Sequence, residues 1–292
     1  MNLKNLTVLQ LTDTRLENLL NEDTQQRFAF RCIPSHKESI GLVPIKDTWD
    51  EYLTQLEGKL WFSVNFHKRS VSKDKVKDVA HERFLSLVDS GEYSSVDSID
   101  KETKEDIMDA VEASLLPDAN YSNKSVLSCL NPKDNRLYVF SASSKEVDTM
   151  KNILIGMDVV EGEDIEQVQV DNLSDTMTSM LIDNSLVEPM EWGDKIILVG
   201  EDKSKGMLDK NSVEGKECHA MIEAGKMFTQ GKFAYDGFIT GEITKEFVFK
   251  GLSFDSNMEG EDEDDTLCKT LIYTITELSL MVKDLEDKLK DD

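Results

Sequence analysis

His67-Lys68-Arg69, continued by Lys73, Lys75 and Lys77, is the one stretch of this chain where positive charge accumulates. Each phosphate that such side chains neutralise releases condensed counterions, so a duplex held there would be bound in a salt-dependent way. The same residues also describe the solvated start of an ordinary helix, and both readings stand. Other phosphate chemistry is poorly encoded. A phosphate-cradling P-loop needs a Gly five positions before a Gly-Lys pair, then Ser or Thr. Gly225-Lys226 has Ala220 and Met227 at those places, and Gly231-Lys232 and Gly215-Lys216 fail similarly.

Metal-dependent nucleases join an acid to an acid-x-Lys triplet that binds Mg²⁺ and polarises water. Glu57-Gly58-Lys59, Glu201-Asp202-Lys203 and Glu214-Gly215-Lys216 have the triplet form, which a chain rich in Glu and Lys produces by chance. Pro117-Asp118 could open such a motif, but no triplet follows at a suitable distance. Cys218-His219 lacks the second local pair that zinc requires. Cys32, Cys129, Cys218 and Cys268 are widely separated, which suggests reduced thiols. No GxSxG elbow aims a serine nucleophile. The sequence therefore predicts no enzyme, no metal and no cofactor.

Acids outnumber bases 58 to 33 among 292 residues, a formal net charge of −25. That excludes a basic DNA-binding module read from charge alone, though not a local basic surface. Residues 1–136 hold 18 Lys and Arg against 23 acids, and residues 137–292 hold 15 against 35. Every arginine lies in the first part, so a phosphate contact is expected there. The 27 Lys against 6 Arg also fit an AT-rich genome such as many phages have. Hydrophobic residues make up 39%, enough for a buried core. No apolar run approaches the roughly 20 residues of a membrane helix. The opening MNLKNLTVLQLTDTR alternates like a strand rather than a signal peptide. The expected location is cytoplasmic, with no membrane partner.

The elements that must position these residues alternate in period. Leu6 and Val8, then Leu9 and Leu11, read as a strand, and Leu16, Leu19 and Leu20 as a helix. Gly41 to Pro44 reads as a turn. Leu60 to Phe66 reads as a strand with Leu60, Phe62, Val64 and Phe66 on one face. Helices follow from Ser72 to Asp89 and from Ser98 to Pro117. Val126–Leu130 and Leu137–Ala142 form strands around a turn at 131–135, and a helix capped by Ser143 or Ser144 ends at Gly156. Ile196–Val199 is a strand, and 214–224 a helix running into Gly225. Met227–Tyr235 and Glu246–Phe254 are strands around a turn-rich 237–241. Leu271, Ile275, Leu278, Val282, Leu285 and Leu289 repeat at 4-3-4-3-4, either a helix packed on its own domain or a subunit contact. The class is α+β. The expected division is 1–70 and 121–254 as α+β parts, 71–120 as a helical region, 255–265 as an acidic linker, and 266–292 as a terminal helix.

Leu3-Lys4-Asn5-Leu6-Thr7-Val8, Gly41-Leu42-Val43-Pro44, Ser114-Leu115-Leu116-Pro117 and Ile222-Glu223-Ala224-Gly225-Lys226 follow one another over nearly the whole chain. In sequence and order these segments resemble the bacterial recombination-associated RdgC family. The resemblance implies a non-enzymatic, multi-lobed, ring-shaped homodimer that binds duplex DNA without sequence preference and restrains recombination. In residues, it implies DNA contacts at Lys226 and at Lys210 with Asn211, the last in place of the family's Gln. After Leu-Leu-Pro the family's Arg-Ala-Phe is replaced by Asp118-Ala119-Asn120, with Tyr121 next, so Asn120 and Tyr121 become the tip-contact candidates. A basic family position falls near Asp97, and the family's Lys/Arg-rich helix is thinned to Lys101 and Lys104 among Glu102, Glu105, Asp106 and Asp109.

Two functions follow. The first is a homodimer on duplex DNA, nucleoid-associated, with Lys68, Arg69, Lys73, Lys75, Lys77, Lys210, Asn211 and Lys226 as contacts. The second is an acidic protein on the same scaffold that has lost DNA binding. It would antagonise a host DNA-handling or defence complex by imitating DNA charge or by occupying a partner surface.

Overall fold

A computed structural model describes residues 3–183, 185–209, 216–255 and 258–290. In its first half the elements are β1 (Thr7–Leu11), α1 (Leu16–Leu20), α2 (Glu22–Phe28), β2 (Glu38–Val43), β3 (Leu53–Leu56), β4 (Lys59–Ser70), α3 (Lys73–Asp89), α4 (Lys101–Leu115), β5 (Asn120–Asn131) and β6 (Arg136–Val139). There follow α5 (Ser144–Gly156), β7 (Ile165–Gln167), α6 (Leu173–Ile182), β8 (Met190–Gly200), β9 (Lys205–Asp209), α7 (Lys216–Glu223), β10 (Lys226–Tyr235), β11 (Ile239–Thr244), β12 (Phe249–Phe254) and α8 (Glu263–Lys290). All the registered strand pairs are antiparallel, and the α+β class holds.

The chain forms two compact units, each built from interleaved rather than consecutive segments. Unit 1 is Met1–Gln25, Pro44–Phe62 and Val126–Asp292; unit 2 is Gln26–Val43 and Ser63–Ser125. The helical 71–120 stretch falls wholly within unit 2, while β4 and β5 each contribute residues to both units.

Unit 1 holds a five-stranded sheet in the order β12-β11-β10-β8-β9, together with the run β5-β6-β1-β7. Leu6 and Phe249 exchange backbone hydrogen bonds of 2.8 and 2.9 Å, tying the chain's opening segment to β12. The heptad seam of α8 closes the core. Leu271, Ile275, Leu278, Val282 and Leu285 are fully buried and Leu289 nearly so, in one cluster with Phe228, Phe233 and Phe249. Burying each such side chain contributes about 1.5–3 kcal/mol. The seam therefore packs on its own unit, and the subunit-contact reading of these six residues is corrected. The polar side of α8 is tied down as well: Arg136 donates to Glu286, and the Tyr235 hydroxyl donates to Asp284 at 2.8 Å.

Unit 2 pairs β2 with β4 in register Ser39↔His67 and Gly41↔Asn65, and packs α3 on α4 through Val76, Ala80 and Val111. Gly41 lies inside β2, so the turn expected at 41–44 is corrected. A Cβ there would stand 2.5 Å from the Phe30 Cα, and glycine is what lets that backbone approach. The Phe30 amide then donates to the Leu42 carbonyl at 2.8 Å.

Other boundaries shift for local reasons. The second helix of unit 2 begins at Lys101, not near Ser98, because Asp100 caps it, accepting from the Thr103 amide at 2.9 Å and hydroxyl at 2.8 Å. Ser143 makes no side-chain cap bond on α5. Residues 239–244 are a strand rather than a turn. The acidic run at 255–265 is not all linker: α8 starts at Glu263, with the Asp265 amide donating to Asp262 at 2.8 Å. Carboxylates in a first helical turn complement the helix dipole. Both faces of β4 are covered, so Trp61, Ser63, Asn65 and His67 are buried along with Leu60, Phe62 and Val64.

Candidate nucleic-acid interface

The positive cluster lies on the outer end of β4 and the first turns of α3, both in unit 2. A 17-residue helix started by Ser72 presents Lys73, Lys75 and Lys77 to solvent, and none of the three enters an ion pair among the described residues. Lys73 and Lys77, four positions apart, share one helix face, while Lys75 points to the other side. Together with Val71 and Val76 they line one bank of a groove of about 300 Å³, whose opposite bank carries Met108, Asp109 and Glu112. Cations in a first helical turn oppose the dipole, a cost that an anion bound nearby removes. Lys68 is exposed and stands 3.7 Å from Glu38, a pair weak enough to exchange for another anion.

Arg69 is placed differently from the expectation. Its guanidinium donates to the Pro117 carbonyl at 2.9 Å and the Leu116 carbonyl at 3.4 Å, and lies 5.7 Å from the Tyr121 ring centroid. It closes the short 3₁₀ turn at Leu116–Asp118 instead of facing solvent as a phosphate ligand. Tyr121 is 61% exposed, stacks on His67 at 4.8 Å and starts a polar ladder along β4 and β5. Arg69 faces Tyr121, His67 meets Asn123 at 2.6 Å, and Asn65 meets Ser125 at 3.3 Å. Each step advances two residues on both strands, so all six side chains share one face. Asn120 is exposed at the start of β5.

Lys226 belongs to unit 1 and opens β10 after Gly225, whose φ of 81° makes the left-handed turn out of α7. Its stem runs alongside the Cα positions of Gly200 and Gly206. The Ser204 hydroxyl and amide, and then the Lys226 charge, hold the Asp202 carboxyl below its ordinary range. Lys210 and Asn211 lie outside the described residues. The contacts named from sequence are thus brought together only in part. Lys68, Arg69, Lys73, Lys75, Lys77, Asn120 and Tyr121 share unit 2, and Lys226 is in unit 1.

The acid-x-Lys triplets have a local structural role. Glu57 and Gly58 take φ of 48° and 79° in the two-residue turn between β3 and β4, the conformation such hairpins demand. Glu201-Asp202-Lys203 turns β8 into β9, with Lys203 at φ 63° and Asp202 accepting from the Ser204 amide at 2.9 Å. Glu214 and Gly215 lie outside the described residues. Among the described residues no three His, Cys, Asp or Glu side chains gather as metal ligands, and no helix is long and apolar enough to cross a membrane. Sequence reasoning missed Cys32, whose sulfur lies 3.7 Å from His67 Nε2; the alternation of Asn65, His67 and Arg69 along a strand was the only available hint.

No curated protein matches the chain. A family model described as "Putative exonuclease, RdgC" matches residues 1–292. The chain belongs to the RdgC family.

Proposed function

We propose that this protein is a non-enzymatic, homodimeric member of its family that encircles duplex DNA, binds it without sequence preference and modulates recombination. The observation that carries this reading is the set of exposed Lys73, Lys75 and Lys77 at the start of α3, without an ion pair among the described residues, beside Lys68. They stand in a unit with 12 Lys and Arg against 14 Asp and Glu, so the phosphate-facing candidates escape most of the chain's acid surplus. Binding of this kind reads the backbone alone, and its affinity falls steeply with salt. The structural role of two acid-x-Lys triplets as hairpin turns favours binding over hydrolysis as the activity.

A gel-shift series on duplexes of unrelated sequence, from about 50 to 200 mM salt, tests the proposal. Expected are equal affinities for all sequences and loss of binding in a Lys73→Glu/Lys75→Glu/Lys77→Glu variant. Linear and circular DNA held with Mg²⁺ or Mn²⁺ should stay intact. Light scattering at micromolar concentration should give twice the 33.1 kDa chain mass.

The second reading, an acidic antagonist of a host DNA-handling or defence complex, draws on one observation. Unit 1 holds 21 Lys and Arg against 44 Asp and Glu. Absence of duplex binding at about 50 mM salt, where phosphate contacts are strongest, would transfer the assignment to it.

A further inference from the structure

Cys32 is exposed, and its sulfur stands 3.7 Å from Nε2 of His67. On the other side of the ring, Nδ1 stands 2.6 Å from Oδ1 of Asn123. An amide oxygen only accepts, so the ring proton sits on Nδ1 and the Nε2 lone pair faces the sulfur. The imidazole is only 4% exposed, with Tyr121 stacked at 4.8 Å and Phe30 tilted at 6.1 Å. Arg69 completes the arrangement: while one of its terminal nitrogens is held by the Pro117 carbonyl, the other donates to the Cys32 sulfur at 3.5 Å.

A buried histidine satisfied by an asparagine would account for the His67–Asn123 bond alone. It does not account for a basic nitrogen and a guanidinium converging on the sulfur of one exposed cysteine. These are the two requirements of a nucleophilic thiol: a base for the S–H proton and positive charge beside the resulting thiolate. The other cysteines lack them, and burial pushes the Cys129, Cys218 and Cys268 thiols up from their ordinary range.

We propose that Cys32, His67, Asn123 and Arg69 form a nucleophilic thiol site that exchanges with low-molecular-weight disulfides, so that unit 2 carries a mixed disulfide at Cys32. His67 Nε2 takes the thiol proton. The thiolate attacks one sulfur of the disulfide, a new S–S bond forms to Cys32, and the reagent's S–S bond breaks. The leaving thiolate departs with the bonding pair and takes the proton back from His67, so one thiol is oxidised and one is released. His67 is the base, Arg69 steadies the thiolate, and Asn123 is a positioning residue that fixes the tautomer. The proposal stands independently of DNA binding.

The test uses oxidised glutathione at pH 7 and follows the mixed disulfide at each cysteine by mass spectrometry, in native protein and in urea. Exposure alone would let native Cys32 react no faster than the same cysteine in the unfolded chain. An activated site should make it about 10-fold faster. His67→Gln should bring that ratio close to one. Asn123→Ala should lower it about fivefold, and Asn123→Asp, which keeps an acceptor on Nδ1, should restore it. A wild-type ratio of one or below would overturn the proposal. So would ratios that ignore the Asn123 substitutions in variants with native circular dichroism, and the Asn123 pair decides if His67→Gln does not fold.

Discussion

Unit 1 and unit 2 use the same kinds of element but differ in charge and in what holds them together. Unit 1 carries a net −23 and unit 2 a net −2, so almost all of the chain's −25 resides in one of them. Unit 1 is sealed by a long apolar seam against aromatic strands, whereas the helix pair of unit 2 buries only Val76, Ala80 and Val111. The sheet portion of unit 2 buries Leu42 and Val64 and adds side-chain hydrogen bonds along β4 and β5. A single net charge for the whole chain is thus a poor guide to what any one surface attracts.

A substitution in the core of unit 1 should be the most costly. Leu278→Asp places a carboxylate in a fully buried position with no partner and should cost about 4 kcal/mol or more, enough to unfold unit 1. Val111→Ala in the smaller core of unit 2 should cost about 2 kcal/mol. Urea unfolding followed by tryptophan fluorescence, with all three tryptophans in unit 1, and by far-ultraviolet circular dichroism separates the two. A Leu278→Asp variant with a native urea midpoint would remove α8 from the core.

A step down in size is Gly41→Ala, for which about 1–3 kcal/mol of overpacking is expected because backbone, not a flexible side chain, stands 2.5 Å from the new methyl. Loss confined to unit 2, with tryptophan fluorescence unchanged, would sharpen the division. Smaller in energy is the charge difference on DNA. Each of Lys73→Ala, Lys75→Ala and Lys77→Ala should make the slope of log affinity against log salt shallower by about 0.9. Lys226→Ala should change it less, because Asp202 already shares that charge. Equal slopes for the two units would mean that the charge division does not govern binding.

What was legible in the sequence was what is local. The lysine run is contiguous, and the seam of α8 shows its own period, so both could be read without a fold. What the seam packs against could not, since Phe228, Phe233 and Phe249 reach it only through the strand order. Gly41 looked like a turn because its reason, the Phe30 backbone, arrives from a separate segment. Only one face of β4 was assigned to the core, because alternation does not say whether a second layer covers the other face. The Cys32–His67–Asn123 arrangement has separations of 35 and 56 residues and no motif spacing. Arg69 illustrates the same limit: its residue type suggested phosphate, but the turn at Leu116–Asp118 claims its guanidinium.

The smallest expected effect tests how unit 2 starts α4. The Thr103 amide and hydroxyl hold the Asp100 carboxyl below its ordinary range. A group with a depressed native value contributes stability that is fully present above its unfolded value, about 3.9 for an aspartate, and is lost as pH falls through the native one. Asp100→Ala should therefore lower the urea midpoint of unit 2 at pH 7, and the gap to wild type should narrow below about pH 4. Asp100→Asn keeps a capping acceptor without the charge, so it should fall between the two at pH 7 and meet wild type in acid. Unfolding curves at pH 7, 4 and 3 distinguish these outcomes. A gap between wild type and Asp100→Ala that stays constant down to pH 3 would show that the cap works through geometry alone and that its carboxylate charge adds nothing to α4.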